Sequence, residues 1–345
     1  MSSDLAMTVK ARAMFGARLK EADYESLLQK KSVSEIAAAL KHDTYFKLTL
    51  EGINEKAIHR QQLEALLRMD IYSRLTKLQR YSGPEDSQFV YAFVMRTEVQ
   101  LILICVRWIM TQDEEIRMGL ISKIPMFARK YLSFDIQKLP DVNTFDDLIE
   151  LLHGTEYEKI IEHYKSEKMD EIDYIGLEHD MEIGLFKHTL SLLELYSRSE
   201  GVDSMNLIIR SRAELMNISS IYRMKKYFRV PNQRMEKLML PFHALFSEKE
   251  LRDLIENGDE NDVLKLLEKK YHRYAKDVRF TDIENYIQRI SFNFNHTFIE
   301  YNTEPALIMM SYLLLSETEI QNIINIIEGV RYQISPNRIR TMLVY

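Results

Sequence analysis

TFDDLIELLHGTEY, residues 144–157, decides the fold because two other parts of the chain repeat its pattern. The pattern occurs earlier as SVSEIAAALKHDTY (32–45) and later as DENDVLKLLEKKY (259–271). Each stretch begins with a good N-cap residue, continues with apolar residues at helical spacing and ends in a tyrosine. We predict that each forms a short amphipathic helix followed by an aromatic side chain.

The start of each of these helices carries the same chemistry. Ser32, Thr144 and Asp259 can each accept a hydrogen bond from a free backbone N–H of the first turn. An acid follows three residues later in every copy, where it suits the positive end of a helix. In the first copy that acid is Glu35, and the pair with Ser32 predicts a capping box.

The spacing of two motifs indicates an internal repeat. The three caps are 112 and 115 residues apart. A second motif, EVQLI at 98–102, returns as ELMNI at 214–218 and EIQNI at 319–323, with its glutamates 116 and 105 residues apart. A long amphipathic segment separates the two motifs in each copy. A repeat of this length is the size of a domain. We therefore predict domains at 1–120, 121–235 and 236–345.

Composition favours helices throughout. Among 345 residues there are only 10 Gly and 7 Pro, while 46% are hydrophobic and 28% are charged. Leucine, isoleucine, lysine and glutamate support helices, and strand alternation bounded by hairpin turns is absent. The predicted fold class is all-α, with three similar helical-bundle domains related by rough three-fold internal symmetry.

Few signs of chemistry accompany this fold. The single cysteine, Cys105, lies in an apolar run, so a buried inert thiol is expected. No phosphate-binding glycine loop, zinc motif or nucleophile motif occurs, so we expect no catalytic residue, no metal and no cofactor. The net charge of −6 argues against nucleic acid as a partner. No apolar run is long enough to span a membrane.

Two charged features could mark contacts. Residues 210–237 hold eight Lys or Arg against two Glu, which favours an acidic partner surface, lipid headgroups or RNA. The alternative is a solvated helix end whose cations suit the helix dipole. Glu178 and Glu182 share a helix face, and a solvated acidic face is the preferred interpretation. The partner-binding candidates in the basic segment are Arg212, Arg223, Lys225, Lys226 and Arg229.

The C-terminal stretch SETEIQNIINIIEGVRYQISPNRIRTMLV (316–344) resembles the end of one family. That family comprises the C subunits of bacterial and archaeal V/A-type ATPases, whose eukaryotic vacuolar counterparts are called d subunits. The opening KARAMFGARLKEADYESLL (10–28) and the middle IYRMKKYF (221–228) also resemble it. The first copy departs from the pattern, since Leu101 stands where the other two copies have Asn217 and Asn322.

The resemblance implies a non-catalytic rotor part that binds no nucleotide. Such proteins resemble a funnel of three helical domains. The narrow side sits on the membrane ring of proteolipid subunits, and the wide opening receives the central axle, or central stalk, made of the D and F subunits. The implied location is peripheral, at the cytoplasmic face of the membrane. Arg331, in the last motif, joins the candidate partner-binding residues.

Two other functions stay open at the level of sequence. One is an all-α scaffold or adaptor unrelated to rotary ATPases, which would share the repeats but show no affinity for a proteolipid ring. The other is a helical hydrolase with a scattered active site. A deep polar pocket with converging carboxylates or histidines would favour the hydrolase.

Overall fold

The secondary structure is helical. The computed structural model describes residues 3–81, 87–123, 132–166, 168, 171–194, 202–276 and 278–345. No strand occurs within those ranges, which confirms the all-α prediction. In chain order the helices are α1 (Ser3–Gly16), α2 (Glu21–Leu28), α3 (Val33–Asp43), α4 (Arg60–Gln79), α5 (Ser87–Thr111), α6 (Glu114–Lys123), α7 (Phe145–Leu151), α8 (Glu158–Tyr164), α9 (Tyr174–Glu194), α10 (Val202–Arg223), α11 (Asn232–Lys237), α12 (Glu248–Glu256), α13 (Glu260–Lys270), α14 (His272–Ala275), α15 (Ile283–Tyr301), α16 (Pro305–Arg331) and α17 (Pro336–Met342).

Three tighter or wider helical segments also occur within the described ranges. Short 3₁₀ helices cover Tyr45–Lys47 and Ile136–Asp141, and a π-helical turn covers Met224–Phe228 directly after α10. A π turn inserts one extra residue into a helix, and such insertions are frequent at functional sites.

The three predicted caps are present, at the starts of α3, α7 and α13. Thr144 accepts from the N–H of Asp147 at 3.1 Å, and Asp259 accepts from that of Asp262 at 2.9 Å. Both of these caps are full capping boxes, because the acid also binds the N–H of the cap residue. The first copy differs from the prediction. Ser32 does cap α3, but the carboxylate of Glu35 binds the N–H of Lys31, one residue before the cap.

The long helices pack in a cycle. Helix α5 packs against α9, α10 against α15, and α16 against α4. In each case the second long helix of one repeat meets the first long helix of the next repeat, and the last repeat meets the first. Contacts of α9 with α10 and of α15 with α16 join these pairs, and a hydrogen bond between the Tyr72 and Thr97 hydroxyls links α4 to α5 and completes the cycle. We call the six helices α4, α5, α9, α10, α15 and α16 the helix ring.

The apolar cores are offset from the sequence repeats in the same way. One core runs from Met95 to Met181 and a second from Leu215 to Ile290, so each combines the end of one repeat with the start of the next. The largest core includes Met7 and Leu343 and joins the two ends of the chain. The predicted boundaries at residues 120 and 235 separate the sequence repeats. Whether they are also the limits of structural domains stays a prediction.

A buried carboxylate joins successive repeats at three equivalent places. The glutamate that begins each second motif accepts a hydrogen bond from the tyrosine that ends the first motif of the next repeat. Glu98 and Glu214 have no exposed surface, and Glu319 is 5% exposed. We call these contacts the glutamate–tyrosine joints. They are Tyr157 to Glu98 (2.7 Å), Tyr271 to Glu214 (2.8 Å) and Tyr45 to Glu319.

Each carboxylate also binds backbone N–H groups, which makes its burial tolerable. Glu214 accepts from three successive residues, Ala244 to Phe246, at 2.7–3.1 Å. Glu98 accepts from the N–H of Ser133, and Glu319 from that of Leu19 at 2.6 Å. A buried charge is costly unless hydrogen bonds replace its hydration, and these contacts supply them. Burial and the Glu214 carboxylate together raise the pKa of Tyr271.

The third joint connects the two ends of the chain. Tyr45 and Leu19 lie about 300 residues before Glu319, so only non-covalent contacts close the helix ring at this point. A buried arginine strengthens the joint. Arg74 donates to the Glu319 carboxylate at 3.0 Å, to the Tyr45 hydroxyl, and to Asp70 one turn earlier on α4. Burial raises the pKa of Glu319, and the Arg74 guanidinium opposes that rise.

The ends of the glutamate-bearing helices repeat as well. Among the residues that the structure describes, three non-glycine residues have positive φ, namely Gln112 (52°), Arg229 (48°) and Gln333 (53°). They follow Glu98, Glu214 and Glu319 by 14, 15 and 14 residues. The extra residue in the second copy is accounted for by the π turn after α10. A left-handed residue therefore ends the helix at the same place in all three repeats.

Asparagine adds a backbone clamp in two of the three copies. Asn217 exchanges two hydrogen bonds of 2.8 Å with the backbone of Leu240, and Asn322 does so with Val344 at 2.7 and 2.9 Å. Leu101, the counterpart in the first copy, is 2% exposed. The first copy therefore buries an apolar side chain where the other two copies have the clamp.

The joints allow a test of stability. We predict that Glu214→Ala lowers the free energy of unfolding by about 3 kcal/mol or more, because it strands several backbone N–H groups and a tyrosine hydroxyl. Tyr271→Phe should cost only about 1–2 kcal/mol, since the carboxylate keeps its backbone donors. Urea unfolding followed by circular dichroism measures both values. Equal losses for the two variants would contradict this role of the joint.

Candidate functional site

The helix ring surrounds a central cavity of about 750 Å³. All six long helices contribute to its wall, so all three repeats share this cavity. Its wall is mixed in character, with apolar side chains such as Leu101 and Leu215 beside polar ones such as Gln100 and Gln321.

Equivalent residues of the three repeats meet in this cavity. Arg96, Arg212 and Glu317 each lie two residues before the glutamate of a joint. Two nitrogen–oxygen contacts of 2.6 and 2.8 Å join Arg96 to both oxygens of Glu317, and Arg212 approaches the same carboxylate at 3.5 Å. We call these three residues the axial triad. Its side chains are 26–35% exposed, so water screens their attraction in part.

Sequence reasoning placed only one of these three residues in a site. Arg212 was a partner-binding candidate because of the basic segment, whereas Arg96 and Glu317 were missed. The available signal was their shared position in the repeat alignment. It was hidden because two copies carry arginine and the third carries glutamate. The opposite charges become meaningful once the structure shows that the three copies contact each other in one cavity.

The acidic pair on α9 also faces inward. Glu178 is exposed and lines the central cavity, as a solvated acidic residue would. Glu182, one turn later, is only partly accessible. Burial, with the nearby Glu178 charge, raises the pKa of Glu182 to about 7, and the Arg96 guanidinium opposes that rise. The solvated interpretation therefore holds for Glu178 and is wrong for Glu182.

The other predicted contact residues lie at helix ends. Arg223, Lys225, Lys226 and Arg229 follow one another at the end of α10, and Arg331 is the last residue of α16. We call these five residues the basic rim. They lie at the C-terminal ends of α10 and α16, the two helices whose equivalent residues Arg212 and Glu317 meet in the axial triad. Arg212 is separate from it, inside the cavity.

Distant acids reduce the positive charge of the basic rim. Arg223 lies 3.5 Å from Glu284, and both side chains are about half exposed. The negative charge of Asp259, the N-cap of α13, favours the protonated form of Lys225, and that of Glu260 favours the protonated form of Lys226. Residues 210–237 carry an excess of six positive charges, but these acids from other parts of the chain reduce the net positive charge of the folded surface.

The cations of the basic rim differ in exposure and in hydrogen bonding. Lys225 is half-buried and donates to the carbonyl of Ile255 at 2.8 Å, and burial lowers its pKa. Lys226 donates to the Tyr222 hydroxyl at 2.6 Å, which raises the pKa of that lysine. Arg229 and Arg331 are exposed. Arg223 and Lys226 are exposed too, so Lys225 is the least accessible cation of the basic rim.

Exposed aromatic rings accompany these cations. Tyr227 is 60% exposed, Phe228 63% and Tyr332 65%. The Lys226 ammonium lies 5.5 Å from the Tyr227 ring, and the Arg331 guanidinium 5.2 Å from the Tyr332 ring. Large exposed aromatics with neighbouring arginines are typical of protein interfaces.

Other groups with possible chemistry offer no second site. Cys105 is fully buried, and burial raises the pKa of its thiol to about 12, which confirms the prediction of an inert cysteine. Within the described ranges, no group of three or more His, Cys, Asp or Glu is placed to hold a metal ion. Across the same residues, no helix has the length and apolarity needed to cross a bilayer.

Glu182 gives a prediction about pH. Its folded pKa of about 7 exceeds the ordinary glutamate value of about 4.3, so the folded state holds the proton more tightly than the unfolded chain. The stabilising effect of the bound proton is lost as pH rises from about 4 to 7. We predict that the melting temperature of Glu182→Gln, measured relative to that of the native chain, is higher at pH 8 than at pH 5. Melting curves at both pH values test this, and a difference that does not change with pH would contradict it.

Comparison with known proteins agrees with this architecture. The family model of the ATP synthase (C/AC39) subunit matches residues 7–342, which is nearly the whole chain. Among individually curated proteins no match is found. The resemblance drawn from the repeat motifs is thereby confirmed. The chain belongs to the ATP synthase (C/AC39) subunit family and is a subunit of a V/A-type ATPase.

Proposed function

We propose that this chain is the central-rotor subunit that docks the axle, made of the D and F subunits, onto the membrane ring of proteolipid subunits. It would transmit torque between ATP-driven rotation and ion movement, as a peripheral protein at the cytoplasmic face of the membrane. The observation that carries the proposal is the closed packing of six long helices around one axial cavity.

The helix ring has the mechanical properties that such a role needs. Torque passes without loss only through parts that do not deform, and long packed helices are stiff. Each repeat is tied to the next by a buried joint, and the third joint ties the chain ends together. A load applied at the cavity would therefore be shared by all three repeats.

Two surfaces are available for two partners. The central cavity would receive the axle, since all three repeats share it. The basic rim, with its exposed aromatic rings, would make contacts at the C-terminal ends of α10 and α16. Several modest contacts acting together can hold an assembly firmly. Such a role requires no reactive side chain, so we propose a structural rather than an enzymatic role, without nucleotide or cofactor.

The family match bears on the alternatives from sequence. A scaffold unrelated to rotary ATPases is no longer favoured, because the match to the family covers residues 7–342. The funnel shape and the three domains remain part of the proposal. The cyclic packing of α5 on α9, α10 on α15 and α16 on α4 supports three equivalent units.

Purification from the native membrane tests the proposal. The tagged chain should bring down the proteolipid, D and F subunits when extracted in mild detergent. Recovery of the chain without any of these subunits, under conditions that keep the rest of the ATPase assembled, would contradict the rotor role.

The basic rim provides a sharper prediction. Reversing the charge of Arg223, Lys225, Lys226 and Arg229 together should weaken assembly and lower coupled ion transport, because charge complementarity guides and holds protein contacts. Reconstitution with the purified partner subunits, followed by ATP-driven ion uptake into vesicles, measures both effects.

A matched control separates the rim from a general change of charge. Lys159, Lys187, Lys249 and Lys269 are exposed lysines outside the rim. Their joint replacement by glutamate alters the net charge by the same amount and should leave assembly unchanged. If both quadruple variants assemble and transport like the native chain, the rim is not a contact surface.

A further inference from the structure

The turn between α10 and α11 stands out into solvent. We call residues 226–234 the α10–α11 corner; all of them are exposed except Val230, which is partly exposed. None of these residues lines the central cavity. Two large rings stand side by side in the corner, Tyr227 with 60% and Phe228 with 63% of its surface exposed. An exposed apolar patch with polar residues around it marks a site of protein or membrane contact.

This pair of rings distinguishes the second repeat from the other two. Counting back two residues from the left-handed residue that ends each helix gives Met110 in the first repeat, Tyr227 in the second and Arg331 in the third. Two adjacent aromatic residues therefore occur at this place only in the second repeat. The π turn, which adds one residue to the end of α10, covers both of them. Such insertions are frequent at functional sites.

Contacts with the end of α12 hold the corner in place. The Lys225 ammonium, just before the corner, donates to the carbonyl of Ile255 at 2.8 Å. The side-chain amide of Asn232 donates to the carbonyl of Glu256 at 3.4 Å. Neither contact uses the two aromatic rings or an arginine. A surface that is ordered before binding loses less conformational entropy when a partner arrives.

Positive charge surrounds the two rings. Glu236 on α11 and Glu260, whose charge acts on Lys226, offset part of this charge. The Lys226 ammonium also lies 5.5 Å from the Tyr227 ring. The exposed cations in the corner and in the last turn of α11 are Lys226, Arg229, Arg234 and Lys237.

This combination suits a bilayer surface better than an acidic peptide. Peptides are bound in grooves or along sheet edges, which surround them on more than one side. The corner is convex, since eight of its nine residues are exposed. At a membrane interface aromatic rings lie among the lipid headgroups, while lysines and arginines attract anionic ones. Residues 226–229, in the order Lys, Tyr, Phe and Arg, place the two kinds of side chain next to each other.

We propose that the α10–α11 corner binds anionic phospholipid headgroups directly, with Tyr227 and Phe228 among the headgroups and Arg229 and Arg234 beside their phosphates. The inference rests on the proposed function, because that function places the chain at the membrane, and it names lipid as a partner of the basic rim. Lipids in a fluid bilayer change places freely. Such a contact would therefore limit the tilt of a rotating subunit without blocking its rotation.

Flotation of the full-length chain with lipid vesicles tests this contact. The native chain should bind vesicles of equal parts phosphatidylcholine and phosphatidylglycerol, and should not bind vesicles of phosphatidylcholine alone. Arg229→Gln combined with Arg234→Gln should weaken this binding about tenfold or more, because each substitution removes a cation from the bilayer surface. Tyr227→Ser combined with Phe228→Ser should weaken it as well, and the loss should persist at high salt, which screens charges but not apolar contacts.

Two matched controls separate the corner from a general change of surface. Lys249→Gln combined with Lys269→Gln removes the same charge from exposed lysines elsewhere, and Tyr301→Ser removes a ring that is 78% exposed. Both controls should bind the anionic vesicles as the native chain does. Circular dichroism checks that every variant keeps its helical content.

Two results would overturn the lipid contact while leaving the rotor role intact. One is a native chain that co-purifies with the proteolipid, D and F subunits but does not bind the anionic vesicles. The other is native-like vesicle binding by the corner variants together with a loss of assembly, which would assign the corner to a protein partner. A chain that binds the vesicles but co-purifies with none of these subunits would contradict the rotor role instead.

Discussion

The structure depends on one buried carboxylate in each repeat, whose hydrogen-bond donors come from the next repeat. Glu98, Glu214 and Glu319 are buried, and a buried ionised group is stable only if hydrogen bonds replace water. The tyrosine and most of the backbone donors come from the repeat that follows in the cycle. Each repeat therefore depends on its neighbour for the stability of its own core. This mutual dependence explains why the apolar cores are offset from the sequence repeats.

The same rule has a special consequence at the chain ends. The first two joints connect neighbouring parts of the chain, but the third has to bring the N-terminal and C-terminal regions together. Here Arg74 and Asp70 join the glutamate and the tyrosine, all of them buried or partly buried. The N-terminal helix α1 also contributes, because Arg12 donates to the carbonyls of Ile299 and Asn302 where α15 ends. Closure turns a linear series of three repeats into a ring with an axial cavity.

Sequence reasoning found the components but not their pairing. Spacing identified the caps, the tyrosines and the glutamates as repeated features, because periodicity along one chain is visible in one sequence. It could not show that Tyr157 binds Glu98 of the preceding repeat, since a repeat alone does not tell which copies touch. The charge of the basic segment was overestimated for a related reason. Its neutralising acid Glu284 lies far away in sequence and close in space. Glu182 looked solvated because helical spacing shows which residues share a face and not what covers that face.

Under the proposed function, closure at Glu319 is the condition for the cavity, and the cavity is the condition for holding the axle. The most direct measurement is the Kd of the D–F complex for a Glu319→Ala variant whose helical content matches that of the native chain. We predict that affinity falls at least tenfold, because Leu19, Tyr45 and Arg74 lose their common partner and the helix ring opens between α4 and α16. A Kd equal to that of the native chain would contradict this dependence of axle binding on closure.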